Sequence, residues 1–91
     1  MSAADKLYER AKRTKAGWRF EEVRRLYLGF GFEEKQGGKH TLFIHPRYPQ
    51  LVATVTRKRT LAMGYVDKAV RLIEELRRLS EREGSSGGRE G

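Results

Sequence analysis

Two histidines are the side chains of this sequence best suited to acid–base chemistry near neutral pH, and their positions set them apart. His40 and His45 lie five residues apart in Lys39–His45 (KHTLFIH), a run rich in β formers. On a strand, an odd spacing sends two side chains to opposite faces, so the pair does not converge on one metal ion. With no cysteine and no third cluster of ligands, neither a metal nor another cofactor is expected. His45 precedes Pro46 at a strand end, where a structural role fits it best. His40 opens its strand straight after Gly37-Gly38, beside Lys39, with no acid near it in sequence. An imidazole among cations favours its neutral form. A neutral imidazole beside phosphate-binding cations is what a general base for an RNA 2′-hydroxyl requires. On local features alone, a structural or purely binding His40 carries more weight, and both readings stay open.

Other chemistries find less support. Ser2, Ser80, Ser85 and Ser86 sit near the ends of the chain, and Thr54 and Thr56 are ordinary strand residues. Glu33-Glu34 has no evident partner carboxylate. Gly37-Gly38-Lys39 lacks the length and the Ser/Thr of a phosphate-binding loop. Trp18, Phe43 and Tyr48 are suited to stacking on bases, but in so small a chain they are expected in the core.

Charge gives a second line of inference. The 91 residues carry a net charge of +8. Between Glu34 and Asp67 lie Lys35, Lys39, Arg47, Arg57, Lys58 and Arg59 and no acid, so this stretch holds +6 of the total. A solvated helix interleaves both signs, whereas a segment purged of acids marks a surface that meets an anion. Nucleic acid fits better than a membrane, because no basic amphipathic helix carries the charge. The length allows one domain with one modest core. No apolar run is long enough to span a bilayer, and MSAADKLYER has no apolar signal core, which predicts a cytoplasmic protein.

The elements that must position these residues follow from periodicity. A helix is expected from Ala3 to about Lys15, ended by Gly17, with Trp18 docking the connection onto the core. A second helix spans about Phe20–Leu28, with Phe20, Val23, Leu26 and Tyr27 on one face, and Gly29 and Gly31 break it. Strands are expected at 32–36, 39–45 and 51–57. Gly37-Gly38 predicts a two-residue hairpin with a primed turn of positive φ. A last helix covers about 65–83, with Glu74–Arg78 as an i,i+4 pair. The order α-α-β-β-β-α predicts an α+β fold: a three-stranded antiparallel sheet with helices on one face and the other face open. Residues 1–18 read as an appended helix, 19–83 as the main domain and 84–91 as a flexible tail.

The stretch GFEEKQGGKHTLFIHP, set after a helix and before a strand, a basic loop and a helix, resembles the HicA toxin family over about residues 19–80. Gly29-Phe30-Gly31-Phe32 matches the helix end, Gly38-Lys39-His40 stands at the family's Gly-Ser-His position, and Leu42-Phe43 with His45-Pro46 completes the pattern. The resemblance implies a fold similar to double-stranded-RNA-binding domains and metal-independent ribonuclease activity on mRNA. It also implies a HicB-like antitoxin partner and a catalytic role for His40. Lys39 replaces the family's serine, which bears either on the contact to the scissile phosphate or on whether cleavage survives. The leading expectation is an endoribonuclease resembling a toxin mRNA interferase. In it Lys35, Lys39, Arg57, Lys58 and Arg59 hold the phosphate backbone, and Gly37 and Gly38 make the turn. The alternative is a non-catalytic RNA-binding module on the same fold.

Overall fold

The computed structural model describes residues 2–90, with side chains through Glu83. The expected tail at 84–91 therefore lies outside the residues described to their side chains. Six elements follow the expected order: α1 (Ala3–Arg13), α2 (Phe20–Gly29), β1 (Glu33–Gln36), β2 (His40–Ile44), β3 (Val52–Thr56) and α3 (Met63–Glu90).

Local chemistry sets the boundaries. Ser2 caps α1: its hydroxyl accepts the Asp5 N–H at 3.1 Å, and Asp5 Oδ2 accepts the Ser2 N–H at 3.3 Å. The helix stops two residues short of Lys15, because Thr14 is already extended while its N–H still donates to the Arg10 carbonyl. Gly17 then takes φ +78, and this left-handed residue swings Trp18 into the core. The indole is fully buried and its Nε1–H donates to the Thr14 carbonyl at 2.8 Å. At the end of α2, Gly31 (φ +91) donates to Leu28 and Phe32 donates to Tyr27. This is the Schellman arrangement, completed by edge packing of Phe32 on Tyr27 at 5.0 Å between ring centroids.

The strands form an antiparallel meander in the order β1-β2-β3. Alternation divides its faces. Thr41, Phe43, Ala53 and Val55 are buried under the helices. His40, Leu42 and Ile44, with Thr54 and Thr56 of β3, point to the uncovered side. Tyr27 of α2 stacks on Phe43 at 4.7 Å, joining helix layer to sheet. From α3, Val66, Ala69, Val70, Ile73 and Leu76 fill the same core at helical spacing.

The first helix is packed into this core. Tyr8 and Ala11 are buried, and Tyr8 meets Phe30 edge-on. Its first turn crosses α2 so closely that a Cβ at Gly29 would collide with that of Ala4. Glycine is needed there for the close approach, not for its φ. Among the described residues, α1 thus shares the core with the rest of the fold. Near the C-terminus, Arg78 pairs with Glu75 rather than with the expected Glu74. No described helix is long and apolar enough to cross a membrane.

Candidate functional site

The β1–β2 hairpin departs from the expected turn. The Gly37 N–H donates to the His40 carbonyl at 2.8 Å and Gln36 pairs with Thr41, so the two loop residues are Gly38 and Lys39, not Gly37 and Gly38. Among the described residues only Gly17 and Gly31 take positive φ, so the turn is not of the primed type. Its physical determinant lies far away in sequence. Arg57, just past β3, places its guanidinium beneath the turn, and Nη1 donates to the His40 carbonyl at 3.0 Å and to Thr41 Oγ1 at 3.1 Å. Nη2 donates to the carbonyls of Gly37, at 3.2 Å, and Gly38. A planar fork meeting four acceptors holds the turn carbonyls on one side, a geometry a lone Gly-Gly signal does not specify. Arg57, expected among the residues that position or neutralise phosphate, is exposed and has its guanidinium bonded to the hairpin.

His40 sits at the base of this turn, exposed, on the uncovered face of the sheet. Thr56 lies directly across from it, and Lys35, opposite Leu42, is its diagonal neighbour on the same face. Lys39 is exposed at the tip. The uncovered face therefore joins His40, Lys35 and Thr56 below a cationic tip, and Thr56, unremarkable in sequence, shares the histidine's surroundings.

His45 has a different environment. Its ring lies edge-on to Phe32 at 5.2 Å and beside Tyr48 at 5.4 Å, and Nδ1 accepts the Arg47 N–H at 3.2 Å. A Cβ at Gly31 would come within 3.3 Å of Nε2. Burial among these groups holds its pKa below the usual histidine value, so the neutral ring is the packed form. His45 is a structural residue, as its place before Pro46 indicated. Trp18, Phe43 and Tyr48 are likewise core residues.

Of the other cations of the acid-free stretch, Arg47 pairs with Glu83 at 2.9 Å, whereas Arg57, Lys58 and Arg59 collect on the opposite, helix-bearing side of the hairpin. A groove of about 670 Å³ runs between the start of α2, the end of β1 and the β3–α3 loop. Lys58 and Arg59 line it from the loop, and Arg57 lines its inner wall. Arg19, the N-cap of α2, and Arg24 line it from the helix side, and nothing in their local sequence, interleaved with glutamates, marks them as part of it. They come together because the Leu61 N–H donates to the Trp18 carbonyl at 2.8 Å, tying the basic loop to the connection that carries Arg19. Two acids face the groove, and Arg24 engages both: Glu34 at 2.9 Å and Glu21 at 3.8 Å. Arg19, Lys58 and Arg59 form no ion pair among the described residues. Behind the groove, Glu22 accepts the Arg19 N–H at 3.0 Å and the Arg10 guanidinium at 2.6 Å, and the bond from Arg10 holds its carboxyl below the usual glutamate range.

The expected cations thus divide between two faces joined at the hairpin tip: Lys35 on the histidine side, Lys58 and Arg59 on the groove side, Lys39 between them. Among the described residues no three His, Asp or Glu side chains are grouped to hold a metal ion. No protein-family model, no characterised protein and no solved structure matches the chain.

The role of Arg57 is open to direct test. In Arg57→Lys the charge remains, but an ammonium cannot meet four acceptors at once. Hydrogen exchange at the Gly37 amide should quicken. Any reaction centred on His40 should slow by about 10-fold or more, because small misplacements of a reacting group are costly. Unchanged exchange at Gly37 would show that Arg57 does not hold the turn.

Proposed function

We propose that this protein is an endoribonuclease in which His40 acts as the general base on an RNA 2′-hydroxyl. The observation that carries this is the placement of an exposed imidazole at the base of a clamped hairpin, with Lys35 and Lys39 beside it and a surplus of cations across the turn. His40 takes the 2′-hydroxyl proton, the 2′-oxygen attacks the adjacent phosphorus, and the 5′-oxygen leaves with a proton drawn from the Lys39 ammonium. The products are a 2′,3′-cyclic phosphate and a free 5′-hydroxyl. Lys35 offsets the negative charge that builds on the phosphate. No step requires a divalent metal. The resemblance of residues 19–80 to the HicA toxins supports the same reading. It extends it to mRNA as substrate, to a HicB-like antitoxin as the protein partner and to the cytoplasm as the compartment. Lys39 in the place of the family's serine is consistent with a cation serving both the turn and the leaving group.

The experiment is cleavage of a labelled RNA in EDTA, alongside the same strand carrying a single 2′-deoxy residue at the cut position. Cleavage should persist in EDTA, end in a cyclic phosphate and vanish at the deoxy position. Cleavage at the deoxy position would rule out the 2′-hydroxyl as nucleophile. RNA bound with a steep salt dependence yet left intact would establish the non-catalytic binding module instead.

A further inference from the structure

The groove and the histidine lie on opposite faces of one hairpin, and only the turn at 37–40 separates them. Gln36 and Arg57 line the groove, and the residues next to them, Gly37 and Thr56, are the cross-strand neighbours of His40. A duplex is a stiff cylinder and contacts one face of such a projection. A flexible single strand can lie along one face, bend over the tip and reach the other. The groove has the two features a single strand uses. Unpaired cations come from two separate segments, Arg19 on one side and Lys58 and Arg59 on the other. Phe20, half-buried and tilted against Phe43 at 6.3 Å, exposes part of its ring between them. Arg24 engages the groove's two acids, and the five cations that line it against those two acids leave a surplus of positive charge to face an incoming anion.

We propose that this groove is the docking track for single-stranded RNA, gripped by Arg19, Lys58 and Arg59 and stacked on Phe20, from which the strand crosses the turn past Lys39 to present its phosphate to His40. This rests on the endoribonuclease reading and adds to it a substrate form and a second surface. Two consequences distinguish it from general attraction of a basic protein for polyanions. Affinity should depend on groove residues remote from the cutting face, and a duplex of the same sequence should be a poor substrate.

The test uses the full chain carrying His40→Ala, so that the probe stays intact, and a fluorescent single-stranded RNA 12-mer followed by anisotropy across a salt series. Adding Arg19→Gln and Arg59→Gln should weaken binding at least 10-fold. It should also shallow the log–log salt slope by about 1.4, since each lost single-strand phosphate contact removes about 0.7. Phe20→Leu should weaken binding while leaving the salt slope unchanged, the signature of lost stacking. Circular dichroism confirms that each variant is folded. Suppose instead that the groove variants bind like their parent while Lys35→Gln and Lys39→Gln weaken binding. The strand would then be confined to the histidine face, and the docking track is overturned with the nuclease reading intact. Equal binding of the single strand and the duplex would likewise overturn it. If none of the chains binds RNA and an acidic peptide binds in the groove, both proposals fail together.

Discussion

On the proposed endoribonuclease reading, His40→Ala should lower the rate of RNA cleavage by about 10²–10⁴-fold, the range associated with losing a positioned general base, while the protein stays folded and RNA binding is retained. The imidazole is exposed, and the bonds that hold the turn run through the His40 carbonyl, which the substitution retains. Exposed side chains without buried contacts contribute little to stability, so the thermal midpoint should move by no more than a few degrees. Single-turnover kinetics on a labelled strand provides the measurement, with melting followed on the same sample. Cleavage at the parental rate would remove His40 from the mechanism. A rate falling only with the melting temperature would make it a folding residue.

The second large effect concerns the core. Trp18→Ala should destabilise the domain by about 3–5 kcal/mol, the usual cost of truncating a buried aromatic to alanine. The ring is fully buried, Arg10 stacks its guanidinium over it at 4.3 Å, and its Nε1–H bond to Thr14 is lost with it. A domain of this size has about 5–15 kcal/mol in total, and about 4–8 °C of midpoint attends each kcal/mol at 60–100 residues. A fall of more than 10 °C in thermal unfolding is therefore expected, enough to leave the variant partly unfolded at 37 °C if the parent is near the lower bound. Trp18→Phe keeps most of the buried area and should lose much less. A loss below about 1 kcal/mol in the alanine variant would mean that the α1–α2 connection is not anchored through the indole.

What was legible in the sequence, and what was not, follows the range of each interaction. The three strands, the helical stripe Val66-Ala69-Val70-Ile73-Leu76 and the opposite facing of the two histidines are set by neighbours a few residues apart, and periodicity reports them. The glycine breaks at 29–31 and the docking of Trp18 belong to the same local class. The turn lies one residue further along than the two-glycine signal predicts, because that signal is local, whereas the clamp comes from Arg57, some twenty positions later. The groove was half-seen for a related reason. Lys58 and Arg59 stand out in a segment without acids, but Arg19 and Arg24 are interleaved with glutamates on α2 and look like ordinary solvated charges. Only the loop's bond to the Trp18 carbonyl brings them opposite Arg59. The apolar stripe Ala4-Leu7-Tyr8-Ala11 of α1 is legible by periodicity, but its close crossing with α2 is not, because Gly29 reads as a helix terminator and gives no hint that Ala4 needs the space.

That bond to Trp18 gives the molecule an optical property. Trp18 is the sole tryptophan of the chain, and it sits one residue from Arg19, with its carbonyl fastened to the segment that follows Arg59. Its ring is shielded from water and overlaid by a cation whose other contact is Glu22, in the first turn of the helix that borders the groove. A displacement of the basic loop that breaks the Leu61–Trp18 bond should therefore alter the surroundings of the one indole chromophore. Tryptophan emission from the unlabelled chain is then expected to change when an anion engages that loop, without a dye and without altering a single residue.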